Sequence, residues 1–303
     1  MCAVHRALSW RRQEHLFGYI CIAPFLLGLL FFVAGPMLYS VYLALSQYDT
    51  TAPPRFVGLD NFMRLGRDSQ FWHSLRVTTV YTIAAVPLGI VVGLSLAQLL
   101  NQGVAMLGVW RTTYYMPNVV SGVAVSMMWV WLLNPDFGLV NRALAVIGVN
   151  GPGWLTDPDW ALWTLVLMSV WGASGSMIIY LAGLQSIPQH LYEAASIDGA
   201  NALQKFRFIT LPLITPVLFL QLVLGIIGTF QVFTNSFIMT GGGPANATLF
   251  YVLYLFKRGF ERFQLGYAAA MAWVLFAVVM TLTLVVFKSS GRWVYYEGEL
   301  KGR

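Results

Sequence analysis

Long apolar runs without a charged residue alternate with short polar segments along this chain. Six runs are long enough to cross a membrane: Phe17 to Ser46, Val77 to Leu100, Thr112 to Leu133, Trp160 to Leu184, Leu211 to Phe237 and Phe263 to Phe287. A hydrocarbon layer about 30 Å thick takes about 20 residues of helix, and a helix pairs its own backbone groups where no water is available. The pattern predicts an all-α membrane protein with six spanning helices. The apolar core of the first run is too long for a cleavable signal peptide and no small-x-small site follows it, so it is expected to stay as a helix.

The polar intervals carry turn signals. Gln47 to Trp72 holds Pro53-Pro54 and Gly58-Leu59-Asp60-Asn61-Phe62, which predict a turn and a short helix on the outer face. Asn134 to Asp159 is broken by Asn134-Pro135-Asp136, Gly151-Pro152-Gly153 and Asp157-Pro158, and its apolar stretch Ala143 to Val149 is too short to span. Trp154, Trp160 and Trp163 suit the membrane interface. No repeat or low-complexity tract divides the chain, so one transmembrane domain over residues 1–303 is expected.

Composition agrees with the pattern: 303 residues, 58% hydrophobic and 10% charged, carry more apolar surface than a soluble core could hide. Six spans put both termini on one side, and the basic cluster His5, Arg6, Arg11 and Arg12 before the first span argues that this side is the cytoplasm. That topology leaves ten Lys and Arg inside (Arg6, Arg11, Arg12, Arg111, Lys205, Arg207, Lys288, Arg292, Lys301 and Arg303) and eight outside, a modest bias. The net charge of +6 is thus membrane-flanking and not the continuous basic face that nucleic acid requires. Cys2 and Cys21 are too few for a metal site or a disulfide framework, and no metal is expected.

None of the six runs holds Asp, Glu, Lys, Arg or His, the groups that relay protons and ions through membranes. This argues against a secondary transporter or channel acting without an ATPase, the alternative reading. The chain also lacks G-x-x-x-x-G-K-[ST] and cannot cradle ATP phosphates itself. Neutral hydrogen-bonding and aromatic residues are plentiful instead, which suits an uncharged polyhydroxylated solute. The densest group, Phe230, Gln231, Asn235 and Ser236 in the fifth run, is the first choice for lining a path; Trp171, Ser174 and Tyr180 in the fourth are the second. Such residues also serve as glue between membrane helices. Gly172-Ala173-Ser174-Gly175 resembles the nucleophile motif of rhomboid-type proteases, but His190 is the last histidine, so Ser174 has no base in the final span and no enzyme is expected.

The loop from Ser186 to Pro212, between the fourth and fifth runs, is the most informative polar segment. Ser186 as N-cap, Pro188 in the first turn and Gln189 in a capping box predict a short helix that ends at Gly199. Asn201 and Gln204 predict the start of a second one. Two short helices at an angle make a knob that fits a groove in a partner.

The spacing of Glu193-Ala194-Ala195, Asp198-Gly199-Ala200 and Ile209-Thr210-Leu211-Pro212 resembles the cytoplasmic coupling loop of permease subunits in binding-protein-dependent ABC importers. Further stretches resemble the sugar-importing branch, similar to maltose and glycerol-phosphate permeases: Phe56 to Phe62, Asn134 to Gly138, Gly183 to Pro188, Thr240 to Pro244 and Arg292 to Tyr296. The resemblance implies a type I importer bundle in the bacterial or archaeal inner membrane, with the first helix packed outside. It gives Glu193, Ala194, Ala195, Asp198, Gly199 and Ala200 the role of engaging an ATPase. It also implies a second, related permease chain, two ATPase subunits that carry the ATP and Mg, an external substrate-binding protein, and a sugar or related solute as cargo. A polyol, a glycerol phosphate or an amino acid remains an alternative cargo.

Overall fold

The computed structural model describes residues 17–102 and 106–295. His5, Arg6, Arg11, Arg12, Cys2, Tyr296, Lys301 and Arg303 lie outside the described residues. Four helices are long and apolar enough to cross a membrane, and two bent helix pairs raise the number of crossings to six if each pair is one span. The described chain forms two compact units.

The first unit comprises the chain up to Arg67 and Arg258–Trp273. Its long helix α1, Phe17–Ala44, loosens into a π-helical stretch at Leu29–Ala34. Pro36 follows; a proline has no N–H for the ladder and its ring crowds the carbonyl four residues back, and here the Gly35 N–H reaches five residues back, to Leu30 O. After α1, β1 (Ser46–Gln47) pairs antiparallel with β2 (Arg55–Phe56), and α2 (Asp60–Arg67) follows. Asn61 is 2% exposed, and its Nδ2 donates to Ala44 O and Ser46 O at 2.9 Å each, locking α2 against the end of α1.

The second unit comprises Asp68–Lys257 and Val274 onward. Helix α3 spans Ser69–Leu100. It starts eight residues before the apolar run because the Asp68 carboxylate accepts from the N–H groups of Gln70 and Phe71, a cap that hydropathy does not register. The expected span Thr112 to Leu133 is two helices, α4 (Leu107–Tyr115) and α5 (Gly122–Leu132), at 89°. A 3₁₀ turn at Met116–Asn118, containing Pro117, separates them. After α6 (Leu139–Val146), the fourth run is likewise bent by 45° between α7 (Pro158–Gly172) and α8 (Ser174–Gln185).

Helices α9 (Gln189–Ile197) and α10 (Ala202–Lys205) come next. A π-helical turn, Phe206–Thr210, then leads into α11 (Leu211–Phe230). The fifth run therefore begins helical well before Leu211 and breaks at Gln231–Phe233 before α12 (Thr234–Met239). Helix α13 (Tyr251–Phe256) is short, and α14 (Leu265–Ser290) passes from the first unit into the second. Phe263 stands outside α14 with a φ of 56°.

Candidate functional site

The knob between α8 and α11 is built by local chemistry. Helix α9 ends in the backbone pattern that glycine favours: the N–H of Ala200 bonds Ala195 O at 2.9 Å and that of Gly199 bonds Ser196 O at 3.2 Å, with Gly199 at a φ of 78°. A side chain on Gly199 would strain that backbone by about 1–2 kcal/mol. Helix α10 opens with a complete capping box, Gln204 N to Asn201 Oδ1 at 2.9 Å and Asn201 N to Gln204 Oε1 at 2.8 Å. The start of α9 differs from the expectation. Ser186 has helical dihedrals as the cap of α8 and its Oγ donates back to Gly183 O, while Pro188, in extended conformation, takes the N-cap place with no side-chain bond.

Side chains tie the two arms together and to the bundle. Lys205 Nζ donates to Ser196 Oγ at 2.7 Å across the knob, and the hydroxyls of Tyr192 and Thr210 lie 2.8 Å apart. Tyr192, Phe206 and Ile209 pack on a buried cluster that includes Leu94, Ala97, Met177, Leu184 and Ile214, from α3, α8 and α11. Helices α8 and α11 meet closely, since a Cβ on Gly183 would stand 2.8 Å from Val217 Cγ2. The knob is thus one piece with the ends of three long elements. Its outer surface is open: Glu193, Ala194, Asp198 and Gly199 are exposed, and Ala195 and Ala200 half-buried. Ile197 is 87% and Leu203 74% exposed, two apolar side chains left open on a polar loop.

Farther along the same elements, a cleft of about 310 Å³ lies among α3, α7, α8 and α11. Its polar lining comes from Asn118, Ser169, Ser176, Tyr180, Gln221 and Thr229, and Val86, Gly89, Ile90 and Gly225 complete the wall. None of the lining residues carries a formal charge. The Nε2 of Gln221 is buried without a hydrogen-bond partner. Through Ile90 this cleft adjoins a second, apolar one of about 620 Å³ that reaches Leu99, Phe206 and Leu211 near the knob.

Of the residues ranked for the path from the sequence, Tyr180 lines the cleft. Ser174 sits behind it, buried, with its Oγ accepting from Asn118 Nδ2 at 2.9 Å. Trp171 packs edge-on to Trp129. The fifth-run group points elsewhere: Phe230 is 2% exposed, Ser236 is buried, Gln231 is exposed at the helix end, and Asn235 Oδ1 lies 3.2 Å from Ser126 Oγ, joining α12 to α5. None of these four borders the cleft.

The family described as "Binding-protein-dependent transport system inner membrane component" matches residues 85–294, which contain the knob and the cleft. The chain belongs to this family. It is a multi-pass inner-membrane permease. "Probable ABC transporter permease protein YesP" of Bacillus subtilis is 44% identical over 95% of this chain and 94% of its own length. The trehalose/maltose transport system permease protein MalF of Thermococcus litoralis is 36% identical over 91% and 94%. Among solved structures, a chain of a bacterial ABC transporter involved in the import of the acidic polysaccharide alginate superposes with a TM-score of 0.84 at 26% identity, over 94% of this permease and 99% of that chain.

Asn118, Ser169, Ser176, Gln221 and Thr229 are polar cleft residues outside the group ranked from the sequence. A signal for two of them is present: Gln221, Gly225 and Thr229 recur every four residues and mark one face of α11.

Proposed function

We propose that this permease forms half of the path by which an ATP-driven importer moves a sugar or related neutral polyhydroxylated solute across the inner membrane. The observation that carries the reading is the knob, braced on α3, α8 and α11 inside and presenting exposed Ile197, Leu203, Glu193 and Asp198 outside. Such a body seats in a groove of a second protein and transmits its motion into the helices that wall the cleft. Both termini and the knob then lie in the cytoplasm, where the partner is an ATPase. ATP and Mg belong to that partner, and this chain is not itself an enzyme.

A second permease closes the open side of the path, and two ATPases and an external substrate-binding protein complete the assembly. ATP binding draws the ATPases together, moves the knobs and turns the cavity from inward to outward facing. The named relatives support the cargo class: one is a trehalose/maltose permease, and a lactose permease of Rhizobium radiobacter is 36% identical. The uncharged cleft favours neutral solutes, with Gln221, Tyr180, Ser176 and Thr229 offering hydrogen bonds to hydroxyls. Purifying the assembly from the membrane and measuring which solutes stimulate its ATP hydrolysis tests the proposal. Stimulation by a sugar-loaded binding protein is expected; stimulation only by an amino acid or an ion would refute the cargo class.

A further inference from the structure

The first compact unit builds a collar where two candidate spans end. Gly266 N, at the start of α14, donates to Tyr48 O at 3.1 Å, and a Cβ on Gly266 would stand 2.1 Å from Ser46 O, so the hairpin lies directly on that helix end. Asn61 fixes α2 to the end of α1, and Trp273 Nε1 donates to Ser40 Oγ at 3.1 Å one step deeper between the two helices. A short helix and a hairpin bolted to the ends of two spans sit at the depth where the hydrocarbon layer gives way to headgroups.

The composition of the collar fits that depth. Its cations are Arg55, Arg64, Arg67, Arg258 and Arg262, with no lysine among the described residues of the unit, and they outnumber its three described acids, Asp49, Asp60 and Glu261. Guanidinium is weakly hydrated and matches phosphate with two parallel bonds, which ammonium does not. Arg64 and Arg258 both lie over the Tyr267 ring, 5.2 and 5.3 Å from its centroid, so the ring orients two cations at one place. Exposed Phe56, Leu59, Met63, Phe260 and Phe263 interleave with the arginines along the sequence, and α1 is itself rich in exposed apolar side chains. A basic face for an acidic soluble partner would not need this apolar fringe. Exposed apolar side chains mixed with arginines are what a phospholipid boundary favours.

We propose that this collar binds the phosphates of anionic phospholipid headgroups in the leaflet around it, holding helix α1 in register with the membrane. Only the choice of leaflet rests on the topology proposed above, which makes it the outer leaflet. A chain inserted the other way round would bind the same lipids from the inner one.

The test is native mass spectrometry of the full-length permease released from mixed phosphatidylglycerol and phosphatidylcholine. Wild type should retain phosphatidylglycerol preferentially. The variant Arg55→Gln/Arg67→Gln/Arg262→Gln, which removes only exposed side chains, should lose that preference by about tenfold or more. The corresponding triple lysine variant, which keeps the charge, should retain an intermediate preference and show that the fold is intact. Unchanged retention in the glutamine variant overturns the proposal. So does displacement of the lipid by millimolar inorganic phosphate, or a variant that loses affinity for the binding protein while keeping its lipid.

Discussion

The Tyr192 phenol meets the Thr210 hydroxyl at 2.8 Å, so the middle of the knob helix is bonded to the turn from which α11 rises. Thr210 is buried and Tyr192 half-buried. A force on α9 is therefore passed to α11 through a fixed contact as well as along the chain. Tyr192→Phe removes the bond and keeps the ring, at a cost of about 1 kcal/mol. ATP hydrolysis by the reconstituted assembly should persist, while its stimulation by loaded binding protein falls a few-fold. Equal stimulation in variant and wild type would take this contact out of the coupling.

The backbone of Gly199 predicts a graded series. Asparagine tolerates the left-handed region, alanine does so poorly and a β-branched residue worst. Transport should decline in the order Gly199→Asn, Gly199→Ala, Gly199→Val, with the last down tenfold or more and all three chains present in the membrane. Glu193→Ala should also lower transport, through a different route, since it removes a charge and leaves the backbone alone.

Exposed Ile197 and Leu203 should belong to the ATPase contact. An aspartate at either position meets water in the free permease and is buried unpaired in the complex. Ile197→Asp is expected to weaken retention of the ATPase on an affinity column at least tenfold, with the thermal stability of the isolated permease unchanged. Retention at the wild-type level would place the ATPase elsewhere.

In the cleft, Gln221→Leu removes the unpartnered Nε2, and Tyr180→Phe removes a hydroxyl. Each should raise the apparent KM for the transported sugar about five- to tenfold, with subunit assembly intact, because a hydrogen bond to the solute contributes about 1 kcal/mol. Asn235→Ala, by contrast, breaks a contact between α12 and α5 and should lower stability without changing KM. The opposite pattern would move the solute path to α12.

Some of this architecture is written locally and was legible. The Gly199 terminus and the Asn201–Gln204 capping box depend on residues within one turn, so a few side chains specify them. Ser186 misled because a serine before a proline suits the start of one helix as well as the end of another, and its bond to Gly183 O decides for the end. The bends at Met116–Asn118 and at Ala173 leave no mark on hydropathy, since the apolar run continues through both. Facing was hardest to read. Helix α11 is mostly apolar, and hydropathy alone does not separate Phe230 from Gln221 as a path residue; in the fold Phe230 is buried and Gln221 stands at the cleft.

The central claim is that a separate ATPase works this bundle through the knob. Uptake of labelled sugar into proteoliposomes measures it most directly, comparing the permease pair alone, the complete assembly with ATP, and the complete assembly bearing Gly199→Val. Uptake is expected only in the second preparation, with a small residue in the third. Sugar entry driven by the permeases alone, or undiminished entry in the Gly199 variant, would contradict the account.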